Sequence, residues 1–271
     1  MGRILNSLFA LILSANAYTI TYTETNVDQK KGSTVTISSE IQEDITVEKL
    51  NPVRGVVTRT PSTAWWSYPT NIKEATRSGD NLLVLVNKEY KLPSTYAPTD
   101  LVSICSNVTN LRCVNNTNFL AREIIIEDLQ SLANASRDGG IDLSIRSAYR
   151  SYTAQQSTYN YWLTANGGNI AATDKISARA GHSQHQLGTT IDFSSAEIND
   201  GLGGTFASTQ ASKWLADNAW KYGFVIGYPA GYESVTGYTY ESWHYRYIGK
   251  ANAQDMVNSG MILELYLRSK N

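Results

Sequence analysis

This sequence lacks an excess of either charge. Its 23 Lys and Arg are balanced by 24 Asp and Glu, a formal net charge of −1 over 271 residues, which excludes general nucleic-acid binding because that needs a basic footprint. Apolar runs are short as well: none reaches the roughly 20 residues that a membrane-spanning helix requires. Cysteine occurs twice, at Cys105 and Cys113, with a spacing that is neither C-x-x-C nor another usual zinc interval. Histidine occurs only three times, so any two imidazoles in a chemically sensible arrangement are informative. Internal repeats and low-complexity tracts are absent too. What is present is 42% hydrophobic and 17% charged residues, enough to bury the core of one large or two small domains and too apolar for a wholly disordered chain.

The first 17 residues carry Arg3, an apolar run from Ile4 to Leu13, and the small-x-small ending Ala15-Asn16-Ala17. This is the pattern of a cleavable signal peptide, so the mature chain is expected in the periplasm, the cell envelope or the extracellular space, without a transmembrane segment. In an exported chain, an even cysteine count points to one disulfide. Residues 18–80 form an extension rich in Thr, Ser, Val and Glu, either β-rich, as the alternation Thr34-Val35-Thr36-Ile37 implies, or mobile.

From residue 81 onward the reading is one α+β domain with helices on a small, mostly antiparallel sheet. The run Leu82-Leu83-Val84-Leu85-Val86 reads as a strand. A helix through Ile125, Leu129, Leu132 and Ala133 stops at Gly139-Gly140, and the strand Ile141–Arg146 turns Leu143 and Ile145 to one face. A helix spans residues 153–166, a loop 177–189 and a strand 190–194. Residues 208–222 form a further helix, residues 224–228 and 238–247 two strands, and residues 251–267 a final helix broken near Gly260.

Two segments carry chemistry. Ser183-x-His185-x6-Asp192 places one imidazole and one carboxylate on a loop and the strand leaving it, and Glu241-x-x-His244 adds a second imidazole with another carboxylate. Two His and one Asp suit zinc, which at catalytic sites takes three protein ligands and keeps a fourth position open. Glu241 is then a spare carboxylate able to accept a proton. On a flat strand, residues three apart face opposite sides, so a bulge or turn near Trp243 must bring Glu241 and His244 into one cavity.

The segments SAYRSYTAQQ, SARAGHSQHQLGTTIDFS, KYGFVIGYP and TGYTYESWHYRYIG together resemble, in order, the motifs of the VanY-type D-alanyl-D-alanine carboxypeptidases. That family belongs to a wider metallopeptidase group with the lysostaphin-like endopeptidases and the hedgehog domain. The likeness runs from about Asn87 to Leu267. It implies Zn2+ as cofactor, with His185, Asp192 and His244 as ligands, Glu241 as catalytic base, Arg150 as the arginine that contacts substrate, and Gln155 and Ser183 as further residues lining the site. A planar guanidinium suits a terminal carboxylate because it can bind it through paired hydrogen bonds. Where relatives usually carry Pro-Gly-Tyr this chain has Ala180-Gly181-His182, and Gly227 and Tyr232 stand where a basic pair is common; no ligand is lost.

The expected function is removal of the terminal D-amino acid, in DD or LD linkage, from peptidoglycan stem peptides, by a monomer. The alternatives are an endopeptidase of the same group and a wall-binding module without turnover. Arg146 and Arg122 are expected to form structural ion pairs, and His182 to lie in the loop near the metal. The tyrosine-rich stretches 149–161 and 222–247 are expected to pack the domain and, in part, to line a substrate groove.

Overall fold

Apolar alternation decides how the central sheet is built. In the computed structural model, which describes residues 64–271 together with the backbone of Thr19–Thr25 and Gly32–Ser38, the chain forms two compact units, Met1–Ala64 and Trp65–Asn271. In the first unit Thr19–Thr25 pairs antiparallel with Gly32–Ser38. The segment expected to be a signal peptide, residues 1–17, lies outside the described residues.

The second unit runs in the order β1 (Arg112–Cys113), α1 (Ile126–Asp138), β2 (Ser144–Ser147), α2 (Tyr152–Ala165), α3 (Ile170–Ile176), β3 (Thr190–Ser194), α4 (Gln210–Asn218), β4 (Phe224–Ile226), β5 (His244–Tyr247), α5 (Lys250–Asn258) and α6 (Leu263–Lys270), with shorter elements between them. The five strands form one sheet in the order β4-β5-β3-β2-β1. All neighbours are antiparallel except β1 and β2, which are parallel. The expected α+β architecture with a small, mostly antiparallel sheet is therefore the observed one.

Period two sorts the side chains of the central strands. Ile191 and Phe193 of β3 and Tyr245 and Tyr247 of β5 enter one core with Leu129, Leu132 and Ala133 of α1 and Leu215 of α4. Phe193 meets Phe224 and Tyr245 edge to face, with ring centroids 6.4 and 5.7 Å apart, a geometry in which the positive edge of one ring faces the negative face of the other. Truncating such a buried ring to Ala costs about 3–5 kcal/mol. The alternate residues, Asp192, His244 and Arg246, point to the other face. A second apolar cluster joins Leu85, Val225 and Ile248 to Met256, Leu263, Tyr266 and Leu267, so α5 and α6 pack beside the sheet.

Helix ends follow the glycine signals. Gly139 closes α1 by donating to Ala135 O at 3.1 Å, and Gly140 takes φ +72°, a conformation that costs glycine least. Gly260, at φ +67°, separates α5 from α6, so the predicted break divides the terminal segment into two helices. The stretch expected as helix over 208–222 is α4 followed by a 3-10 turn that Gly223 ends.

Several strand expectations require correction. Residues 82–86 form no strand. Leu82 and Leu83 lie in a turn that Val84 N closes by donating to Asn81 O at 3.0 Å, Val84–Val86 are buried, and the Leu82 and Val84 carbonyls accept hydrogen bonds from Arg246 Nη2 at 3.0 and 3.3 Å rather than from a neighbouring strand. Of residues 238–247, only His244–Tyr247 are strand. Upstream the backbone bonds to the last turn of α3, Thr239 N to Lys175 O at 3.0 Å, and to a loop, Glu241 N to Tyr228 O at 3.0 Å. In the same way, β4 ends at Ile226, short of the predicted Tyr228.

Cys105 and Cys113 form a disulfide with Cα atoms 6.0 Å apart. It ties the short helix Ile104–Asn107 to edge strand β1. Beside it Arg112 holds Asp142 and Asp200 at 2.6 and 2.7 Å.

Candidate metal centre

The register of two strands makes the site. Asp192 on β3 stands directly opposite His244 on β5, a pairing that brings cross-strand Cβ atoms to about 4.5–5.5 Å. His185 arrives from the preceding loop, where Gln184–Leu187 form a 3-10 turn capped by the Ser183 hydroxyl, which accepts from His185 N at 3.3 Å. The ligating atoms of His185, Asp192 and His244 lie within 4.8 Å of one another, all three residues buried. They form the one such group found among the described residues. His185 Nε2 is 3.2 Å from Asp192 Oδ2, and His244 Nδ1 is 3.0 Å from Asp192 Oδ1. The two imidazoles meet edge to face, 5.0 Å between centroids.

The donor set fits zinc. The Ala148 carbonyl lies 2.7 Å from His185 Nδ1 and can only accept, so that nitrogen carries the proton and Nε2 of the neutral ring offers a lone pair. His244 has the mirrored arrangement, with Gln184 Oε1 3.2 Å from Nε2 and Nδ1 facing Asp192. Two nitrogen lone pairs and one carboxylate thus converge on the same space, which a tetrahedral N, N, O cation completes. Burial pushes the His244 imidazole below its ordinary value against the pull of Asp192, which favours the neutral ring.

Glu241 reaches this face because residues 241–244 turn before β5 begins, His244 N donating to Glu241 O at 3.3 Å. Its Oε2 lies 3.5 Å from His244 Nδ1, so the turn required by the spacing is present. Burial raises the Glu241 carboxyl well above the usual carboxylate range; the Asp192 charge adds to this and Arg150 opposes it. Asp192 shows the reverse balance. Burial would raise it, but the His185 and His244 imidazoles beside it hold it well below that range.

Ser147, which holds Arg150, is placed by an irregularity in the sheet. Between β2 and β3 the register shifts so that Ser147, not Arg146, stands opposite Asp192, as a β-bulge does when it admits one extra residue. Ser147 Oγ accepts from Arg150 Nη2 at 2.8 Å, and Gln155 Oε1 accepts from Nη1 at 2.9 Å. The guanidinium is close enough to depress both Glu241 and His244 electrostatically. Gln155, itself buried, donates to Ala178 O at 2.7 Å, which places it behind Arg150.

The remaining expected residues lie as follows. Arg122 pairs with Asp100 at 2.8 Å. Arg146, also expected to form an ion pair, is exposed by the bulge and makes none among the described residues; it acts on Asp200 only at longer range. His182 is outside the metal group: its Nδ1 sits 2.7 Å from Asn87 O and its ring meets Tyr68 edge to face. Of the tyrosines, Tyr228 lies on His244 with centroids 4.6 Å apart, whereas Tyr161 is exposed on α2. Sequence reasoning missed Gln184 and Ser147, of which only Gln184 had a signal, its place between Ser183 and His185; it singled out Gly227 as a place where a basic residue is common and the 222–247 tyrosines as packing or groove residues, not as neighbours of His244.

Comparison with known proteins gives the family of the chain. A family model described as VanY, D-alanyl-D-alanine carboxypeptidase, matches residues 118–250. The putative carboxypeptidase YodJ of Bacillus subtilis is 36% identical over 71% of this chain and 69% of its own length. This chain belongs to the VanY family of carboxypeptidases. Among solved structures, the LdcB LD-carboxypeptidase is 34% identical with a TM-score of 0.64, covering 71% of this chain and 88% of that one. A zinc complex of the D,D-pentapeptidase VanY from a VanB-type vancomycin-resistance cassette is 29% identical with a TM-score of 0.55, covering 68% and 98%.

Proposed function

We propose that this family member is an exported, zinc-dependent carboxypeptidase that removes the terminal D-amino acid from peptidoglycan stem peptides. One observation carries the reading: a buried His185, Asp192 and His244 group has the Glu241 carboxylate beside it and a part-exposed guanidinium, Arg150, close enough to act on both Glu241 and His244. The zinc complex of the VanY neighbour and the LD-carboxypeptidase LdcB support it, as do the leader pattern at residues 1–17 and the Cys105–Cys113 disulfide, a bond that persists in oxidising compartments.

Bound zinc would supply Lewis acidity, polarising the scissile carbonyl and making a water more acidic. The chain supplies the rest. Glu241 Oε accepts the proton of the attacking water as its oxygen bonds to the carbonyl carbon, then delivers that proton to the departing amine as the C–N bond breaks. Burial, which keeps Glu241 basic, suits it to this exchange. Arg150 has five N–H donors, of which Ser147 and Gln155 take two, leaving others for the C-terminal carboxylate of the peptide.

Mass spectrometry of muropeptides after incubation with the zinc-loaded protein tests the reading. Loss of one alanine from pentapeptide or tetrapeptide stems is expected, and the stem that shortens distinguishes DD from LD cleavage. Products cut inside the stem or at a cross-bridge would instead assign an endopeptidase, and unchanged muropeptides a non-catalytic wall-binding module.

A further inference from the structure

We infer that Gln184 is a positioning residue that sets which nitrogen His244 offers to the metal. The inference rests on the zinc reading of the same site. For His244 to ligate through Nδ1, the nitrogen beside Asp192, its Nε2 must carry the proton, and a buried N–H needs an acceptor. His244 is 3% exposed and Gln184 also 3%, and Gln184 Oε1 lies 3.2 Å from that nitrogen. No other acceptor is bonded to it among the described residues.

The surroundings allow this arrangement little freedom. Gly227 backs the ring so closely that a Cβ there would meet His244 Cδ2 at 2.6 Å and Gln184 Oε1 at 3.2 Å. Tyr228 covers one ring face at 4.6 Å, and Gly227 N donates to His244 O at 2.9 Å. The backbone of Gln184 is held independently of its side chain, its carbonyl accepting from Thr190 Oγ1 at 3.1 Å. Replacing the side chain therefore changes what faces Nε2 while the turn that carries His185 keeps its anchor. The two ligand imidazoles are oriented by different means: His185 by a backbone carbonyl that no substitution removes, His244 by a side chain that can be exchanged.

A carboxylate at position 184 would accept the same proton more strongly and raise the basicity of the ligating nitrogen; an apolar side chain would leave Nε2–H unpaired and free the ring to adopt the other tautomer. The experiment is competition titration of the metal-free full chain with Zn2+ against a chromophoric chelator, for the unmutated protein, Gln184→Glu and Gln184→Leu, with circular dichroism to follow folding. Expected is a 10–100-fold weaker zinc affinity in Gln184→Leu and an affinity at least equal to the unmutated protein in Gln184→Glu. Equal affinity in the unmutated protein and Gln184→Leu would overturn the inference, as would a Gln184→Glu protein weakened as much as Gln184→Leu. Failure of the unmutated protein to take up zinc would overturn the metal reading itself, and this role with it.

Discussion

The metal side of the cleft and the arginine side are built by different means. His185, Asp192 and His244 are placed by backbone: a strand register sets two of them opposite each other and a capped 3-10 turn sets the third. Arg150 is placed by side chains, its long, flexible stem held at the far end by Ser147 and Gln155. Positions fixed by a ladder tolerate little, because moving one residue of register turns it to the other face. Positions fixed by two hydrogen bonds lose those bonds one at a time. On the proposed function, chemistry that depends on close coordination geometry would occupy the rigid region, and recognition of a mobile peptide end the adjustable one.

The largest effect should come from the rigid side. His244→Ala removes one of the three proposed ligands and leaves Asp192 without the imidazole opposite it. The variant should purify with little or no zinc by atomic absorption and show no measurable turnover. Stoichiometric zinc in that protein would remove His244 from the set. Glu241→Gln asks a narrower question, since it preserves shape and deletes the basic oxygen while leaving the triad intact. Zinc content should be unchanged while kcat falls roughly 10²–10⁴-fold. A near-normal rate would assign the base elsewhere.

The same division explains what could be read from the sequence. Residues on regular elements were legible: Phe193 and Ile191 alternate with Asp192 as period two requires, and the glycine stops at 139 and 260 are where the helices end. Their signals are local. What stayed hidden depends on partners far along the chain. The Leu82–Val86 run has the composition of a strand, but its carbonyls answer to Arg246, more than 160 residues away. The bulge at Arg146 is equally invisible, because register belongs to a pair of strands, and it decides whether Ser147 or Arg146 faces the site. Gln184 was passed over because the motif around it is defined by its neighbours, and its role needs Gly227 and His244 in place.

The arginine side gives the next largest effect. If Arg150 grips the free carboxylate of the peptide, amidating that carboxylate should lower kcat/KM by about 2–5 kcal/mol of transition-state binding, the range for leaving one member of a buried charged pair unpartnered. Arg150→Lys should lose much of the same discrimination, because an ammonium cannot reproduce the fork. Equal rates on acid and amide substrates in the unmutated enzyme would show that no terminal carboxylate is held and would favour internal cutting of the stem.

Ser147→Ala should give the smallest change and sharpens the contrast most. It removes one of the two hydrogen bonds on the guanidinium while leaving strand register, metal ligands and Glu241 untouched. Hydrogen bonds to charged groups are worth about 1.5–3 kcal/mol, and the freed N–H groups can recover part of this from water because Arg150 is not fully buried. The expected result is a several-fold rise in KM for the acid peptide with zinc content unchanged and kcat little altered, since Gln155 still holds the other nitrogen at 2.9 Å. Gln155→Leu should act in the same direction, and the double variant should exceed the sum of the two, because each bond alone restricts the stem that the other would otherwise release. A fall in kcat with KM unchanged would instead place Ser147, which stands opposite Asp192, among the residues that shape the metal side.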